Sequence, residues 1–219
     1  MSFFSKLCFS ETLKDKNASH KIAYIAVFTA FSVIANMFFE IKFADIQFSF
    51  TICVSAIIGI ILGPVFGFVA SFTGDLVGFL VNSGGYAYMP WIGIAMGVVS
   101  LVSGLVFGFI KSPKPWFIFV KLAIISVATF LLCTVAINTT AFWILYGKVP
   151  YFQYLGARLF VQGQIYNSLL NYALLFIVVP VLAKIKPLKL NINKYKTHLK
   201  RFRWVVCINN KPPDSLGVQ

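Results

Sequence analysis

Asp75 is the one acid inside a long apolar run, FVASFTGDLVGFL, and Arg158 stands at the start of another, ARLFV. A carboxylate in hydrocarbon is costly unless it faces protein or a water-filled interior. Asp75 therefore marks either a structural acceptor for neighbouring backbone and hydroxyl donors or a contact to a ligand's N–H groups. The Arg158 guanidinium can grip a carboxylate or a flat heterocycle through paired hydrogen bonds, and at a membrane interface it can equally snorkel into the headgroups. Gln162 lies four residues beyond Arg158, a spacing that puts both on one helix face, while Gln164, Asn167 and Asn171 fall on another. That second group can act as hydrogen-bonding glue between helices. Tyr86, Tyr88 and Trp91 in the loop NSGGYAYMPW, with Asn36 near the end of the first apolar run, complete the candidate binding set. The three rings can stack on an aromatic ligand, and interfacial anchoring explains them too.

These residues suit binding better than catalysis. The chain has no Gly-x4-Gly-Lys-Ser/Thr phosphate loop and no HExxH pair, and its two histidines, His20 and His198, lie in the polar ends. Cys8, Cys53, Cys133 and Cys207 are far apart with no CxxC, so neither a zinc site nor a disulfide framework is indicated. A lone intramembrane acid is too little for proton-coupled antiport, and a lipid-modifying metalloenzyme would need a second carboxylate or histidine beside it. No catalytic residue, metal site or cofactor is expected.

The elements that must position these residues are apolar helices. Small residues recur every four positions at Gly59, Gly63, Gly67 and Ser71, then at Gly74 with Gly78, Gly93 with Gly97, and Gly104 with Gly108. On apolar helices such spacing lets backbones touch; in a soluble helix each glycine would cost about 1 kcal/mol relative to alanine. Composition agrees, being 59% hydrophobic and 11% charged, against about 25% charged in soluble domains. The fold class expected is an all-α membrane protein of six transmembrane helices, at 22–39, 47–62, 65–81, 92–110, 116–137 and 159–182. Gly63-Pro64 makes a tight turn between the second and third. Residues 138–159 read as an outer crossover with an interfacial helix, and 40–46 as a short loop.

The net charge of +13 sits mostly in three places: the arm before Lys21, the Lys111–Lys121 region and the tail from Lys184. That grouping is the positive-inside pattern, and it places both termini in the cytoplasm. No basic surface is interleaved with a reading motif, so nucleic acid is not an expected partner. The N-terminal stretch lacks the apolar core of a cleaved signal, so the first span is expected to direct insertion. Residues 1–21 then form a cytoplasmic arm, 22–183 the transmembrane substrate-binding domain, and 184–219 a basic cytoplasmic tail that touches anionic lipid. In this orientation Asp75 lies in the outer half of the bilayer, about seven residues from the outer loop at roughly 1.5 Å each.

Three stretches carry a family resemblance: AVFTA from Ala26 to Ala30; GIILGPVFGFVASFTGDLVGFL from Gly59 with GGYAYMPW from Gly84; and NTTAFWILYGK from Asn138 with GARL from Gly156. Over residues 21–182 the chain resembles the substrate-binding S subunits of energy-coupling factor (ECF) vitamin transporters, most closely the folate-specific type. The resemblance implies a six-span subunit in a bacterial plasma membrane, binding a vitamin from the outside. It also implies docking onto a transmembrane coupling subunit driven by two ABC-type ATPases, with Ala26 and Ala30 in that contact. The loop reads GGYAYMPWIG where the folate type tends to have a YFPGFT-like run, so pantothenate and riboflavin stand beside folate. A flat pterin with two carboxylates matches Asp75 at the ring and Arg158 or Lys148 at the tail.

Overall fold

A computed structural model describes residues 10, 13, 17–38, 40–43, 46–81, 88–110 and 116–184. In chain order it comprises α1 (Ala18–Phe38), a hairpin of β1 (Glu40–Phe43) and β2 (Ile46–Ser49), α2 (Thr51–Leu62), α3 (Pro64–Val81) and α4 (Pro90–Phe109). A continuous helix follows as α5 (Phe117–Thr129), π1 (Phe130–Thr139) and α6 (Thr140–Tyr146). The chain then forms α7 (Tyr151–Gly156), π2 (Ala157–Val161) and α8 (Gln164–Leu182). Among the described residues, five helices are long and apolar enough to cross a membrane: α1, α3, α4, the 30-residue α5–π1–α6 rod and α8. The twelve-residue α2 is apolar but shorter.

The glycine seam does what its spacing anticipates. At Gly63 the backbone turns through φ 101°, and Pro64 opens α3 at once, its missing N–H being no loss in a first turn. A side chain at Gly59 would overlap the Ser100 carbonyl, and one at Gly67 would come within 2.8 Å of the Gly59 Cα. Helices α2, α3 and α4 therefore touch backbone to backbone. Between them the Ser71 and Ser100 hydroxyls bond each other, and Ser100 donates to the Ser55 carbonyl. Gly74 and Gly78 receive Ser32 and Asn36 of α1 in the same way.

Several expected boundaries move. The described residues are nearly all helical, but 40–43 and 46–49 pair as short antiparallel strands with Glu40 opposite Ser49. Consequently α2 begins at Thr51 rather than at Gln47. The fifth span does not stop at Ile137: the helix runs on to Tyr146, so the expected crossover is half rod and half short helix. The last long helix starts at Gln164, because Gly163 adopts a left-handed φ of 70° that ends π2.

The polar face of α8 resolves into a clamp on α2. Asn171 Oδ1 accepts the Cys53 N–H at 3.0 Å, and Asn171 Nδ2 donates to the Ser49 carbonyl at 2.6 Å. Asn167 Oδ1 accepts the Ser49 N–H at 3.0 Å. Phe50, at the start of α2, offers no capping side chain of its own, so a helix more than a hundred residues away satisfies an orphan donor of its first turn.

Candidate ligand-binding site

Two polar clusters flank the start of α4. The first surrounds Asp75, which is 8% exposed. Asn36 Nδ2 donates to Asp75 Oδ1 at 3.1 Å and to the Asp75 carbonyl at 3.1 Å, while the Tyr88 hydroxyl donates to Oδ2 at 3.3 Å. Tyr88 also lies against Phe79, with ring centroids 5.2 Å apart. Gly93 leaves the room this needs, since a Cβ there would stand 2.5 Å from the Tyr88 hydroxyl and 3.0 Å from Asp75 Oδ2. Burial, and then the Asp75 charge, push the Tyr88 phenol up to about 12, so it keeps its proton and remains a donor. Beside the carboxylate is a small cleft, with room for about one water molecule, lined by Ser32, Asn36, Thr51, Ser55, Ser71 and Asp75, with apolar walls.

The second cluster surrounds Phe142. The Arg158 guanidinium carbon lies 4.0 Å over the Phe142 ring, and Trp91 meets the same ring edge-on at 6.4 Å and 84°. Arg158 is 7% exposed, and its Nε has no hydrogen-bond partner; neither has the buried Trp91 Nε1. Burial lowers the Arg158 pKa from its ordinary value, a bond that the guanidinium donates to the neighbouring Tyr154 hydroxyl opposing the drop, but a guanidinium stays charged in proteins. A cation stacked on one face of Phe142 with an unused donor, and an unused indole N–H on the ring that meets the same phenylalanine edge-on, suit a planar ligand bearing oxygen acceptors. Around it, Trp143 donates from Nε1 to the Val149 carbonyl at 2.9 Å and packs edge-on against Tyr151, which steadies the bend between α6 and α7.

The candidate residues are thus divided by the fold. Asp75, Asn36 and Tyr88 come together, as do Trp91 and Arg158 on Phe142, and Tyr88 and Trp91 stand three residues apart at the start of α4. Arg158 and Gln162 do not share a face, for Arg158 is buried and Gln162 exposed. The wider register of π2 breaks the four-residue spacing, and the helix ends just before Gln162. Tyr86 lies outside the described residues. Ala26 and Ala30 are exposed on α1, along a face that also carries Ile22, Val27, Phe31 and Ile34. Phe142, the centre of the second cluster, was missed because one more phenylalanine among 24 carries no signal.

A family model described as ECF-type riboflavin transporter, S component, matches residues 16–187. Among solved structures, the chain is similar to the crystal structure of FolT bound with folic acid, at 19% identity and a TM-score of 0.59. The likeness covers 78% of this chain and 96% of that one. At such identity it shows a shared fold. No curated protein sequence matches.

Proposed function

The chain belongs to the family of ECF-type riboflavin transporter S components, and on that premise we propose that it captures folate at the Trp91–Phe142–Arg158 cluster. Family membership makes it a multi-pass membrane subunit that captures a vitamin for transport, rather than an enzyme. The observation that carries the site is the Arg158 guanidinium, buried on an aromatic face with its Nε unpartnered. In a bilayer-embedded bundle an unmade hydrogen bond to a charged group is expensive, so its persistence supports a ligand as the missing partner.

Folate combines a flat ring system, which the aromatic cluster can stack, with carboxylates that a guanidinium binds in pairs. Asp75, held by Asn36 and Tyr88, is the second contact in this reading, for ring N–H groups of the ligand, with Gln162 and Tyr86 as further contacts. The alternative ligand is riboflavin, favoured by the family description; pantothenate, which lacks an aromatic ring, uses the site least. Six spans, with α2 as the short one, and both termini cytoplasmic are part of this reading, and under it the cluster faces the outer side of the cell membrane. Exposure of Ala26 and Ala30 supports docking of α1 onto a transmembrane coupling subunit that works with two ABC-type ATPases.

Equilibrium dialysis of the purified chain against folate, riboflavin and pantothenate tests this reading. Saturable, one-to-one retention of folate supports it. Retention of riboflavin alone transfers the same site to that ligand, and retention of none of the three overturns vitamin capture.

A further inference from the structure

Among the described residues, five buried side-chain atoms lack a hydrogen-bond partner: Trp91 Nε1, Ser126 Oγ, Asn138 Oδ1, Arg158 Nε and Ser168 Oγ. A serine hydroxyl in a helix can rotate to a carbonyl one turn back. An amide oxygen has no such recourse, since the N–H groups of its own helix are already engaged. Asn138 is therefore the anomaly that the Trp91 and Arg158 cluster leaves unexplained.

Its placement follows from the contact between π1 and α4. Cys133 donates from Sγ to the Ala95 carbonyl at 3.4 Å, which sets the level at which the two helices meet. On α4, Trp91 stands four residues before Ala95, about one turn nearer the mouth. On π1, Asn138 stands five residues beyond Cys133. Five residues of α-helix would swing a side chain about 140° past a full turn, away from α4. In the i→i+5 register of π1, five residues make about one turn and bring Asn138 back to the α4 side. The bond from the Thr139 hydroxyl to the Thr134 carbonyl, also five residues back, shows that register at this point. Four residues further on, again about one turn, is Phe142, beneath the Arg158 guanidinium. About one helical turn from the ring that Trp91 and the Arg158 guanidinium both contact there is thus an unused acceptor, and it does not satisfy the two unused donors.

We propose that Asn138 is a specificity-determining residue of this site. Its Oδ1 accepts an N–H of the ligand while Trp91 Nε1 and Arg158 Nε donate to an adjacent ligand oxygen. The inference rests on reading the Phe142 cluster as the capture site. An N–H beside an oxygen acceptor is the chemistry recognised, and two parts of such vitamins supply it: the lactam edge of a pterin or isoalloxazine ring, and the amide next to the carboxylate in the folate tail.

The test is a binding comparison on the purified full chain in detergent, using folate, pteroate (which lacks the tail amide), riboflavin and 3-methylriboflavin (whose lactam N–H is blocked). Asn138→Leu is expected to weaken whichever vitamin the unaltered chain binds by about tenfold or more. If the lactam is read, 3-methylriboflavin binds about tenfold more weakly than riboflavin, and Asn138→Leu weakens folate and pteroate alike. If the tail amide is read, pteroate binds more weakly than folate to the unaltered chain, and Asn138→Leu removes that difference. Binding by Asn138→Leu equal to that of the unaltered chain, with Arg158→Ala impaired, overturns the role of Asn138 and leaves the capture site standing. No effect from either substitution overturns both. Should Asn138→Leu fail to fold, the ligand comparison on the unaltered chain decides: pteroate equal to folate together with 3-methylriboflavin equal to riboflavin overturns the proposal.

Discussion

The α1–α4 half of the bundle and the mouth around Phe142 treat polar atoms in opposite ways. In the first, each named polar side chain is engaged: Ser71 with Ser100, Ser100 with the Ser55 carbonyl, Asn36 and Tyr88 with Asp75. Glycines there bring the backbones into contact, so the hydrogen bonds and the packing hold one arrangement of helices. Around Phe142, Trp91 and Arg158 carry buried polar atoms with no partner, and so does Asn138, four residues before Phe142 on the same rod. A membrane interior offers no water to satisfy such groups. The difference separates a scaffold whose named polar groups are matched from a cluster whose polar atoms are not, which is what the proposed capture site requires.

Substitutions can break or sharpen that contrast. The largest effect is expected at Gly59, where even Gly59→Ala drives a methyl into the Ser100 backbone. A loss of about 3 kcal/mol or more should follow, seen as aggregation in size-exclusion chromatography or a lowered unfolding temperature. Gly108→Ala, with open space around it, should leave stability unchanged. Next in size, Arg158→Ala should weaken vitamin binding roughly 10- to 100-fold. Its stability should hold or rise, since a buried charge with no acidic partner among the described hydrogen bonds and an unsatisfied Nε is removed. Arg158→Lys should not restore binding, because an ammonium lacks the flat stacking face.

A smaller and opposite effect is expected on α8. Asn171→Ala removes the bonds to Ser49 and Cys53 and should cost about 1–2 kcal/mol of thermal stability. Ligand affinity, read on the folded fraction, should change little. Least is expected from Tyr88→Phe. The Tyr88 phenol titrates near 12, above its ordinary value of 10. The unfolded chain therefore loses this proton first as pH rises, so the contribution is complete below about pH 10 and is lost as pH climbs towards 12. Tyr88→Phe should flatten that alkaline decline in unfolding measurements.

Much of the scaffold was legible in the residues, because glycine spacing and a Gly-Pro turn act locally and leave few alternatives. Asp75 was legible as a functional or structural point for the same reason: one acid in an apolar run must meet a partner, and Asn36 and Tyr88 supply it. The mouth was less so. Asn36, Tyr88, Trp91 and Arg158 could be named, but their division between two clusters could not. The π registers of Phe130–Thr139 and Ala157–Val161 rotate side chains without any mark in residue type. That rotation separates Gln162 from Arg158, and the extension of the rod to Tyr146 brings Phe142 under the guanidinium. The hairpin at 40–49 was hidden because its strands are only four residues each.

The most direct test of a completed scaffold with an open mouth is a titration of the four tryptophans' fluorescence. Folate and riboflavin are added in turn to the unaltered chain and to Arg158→Ala in the same detergent. Saturable quenching by one vitamin in the unaltered chain, weakened by at least about tenfold in Arg158→Ala at unchanged unfolding temperature, is the predicted result. Equal quenching of both chains would contradict the assignment of the Phe142 cluster as the site of capture.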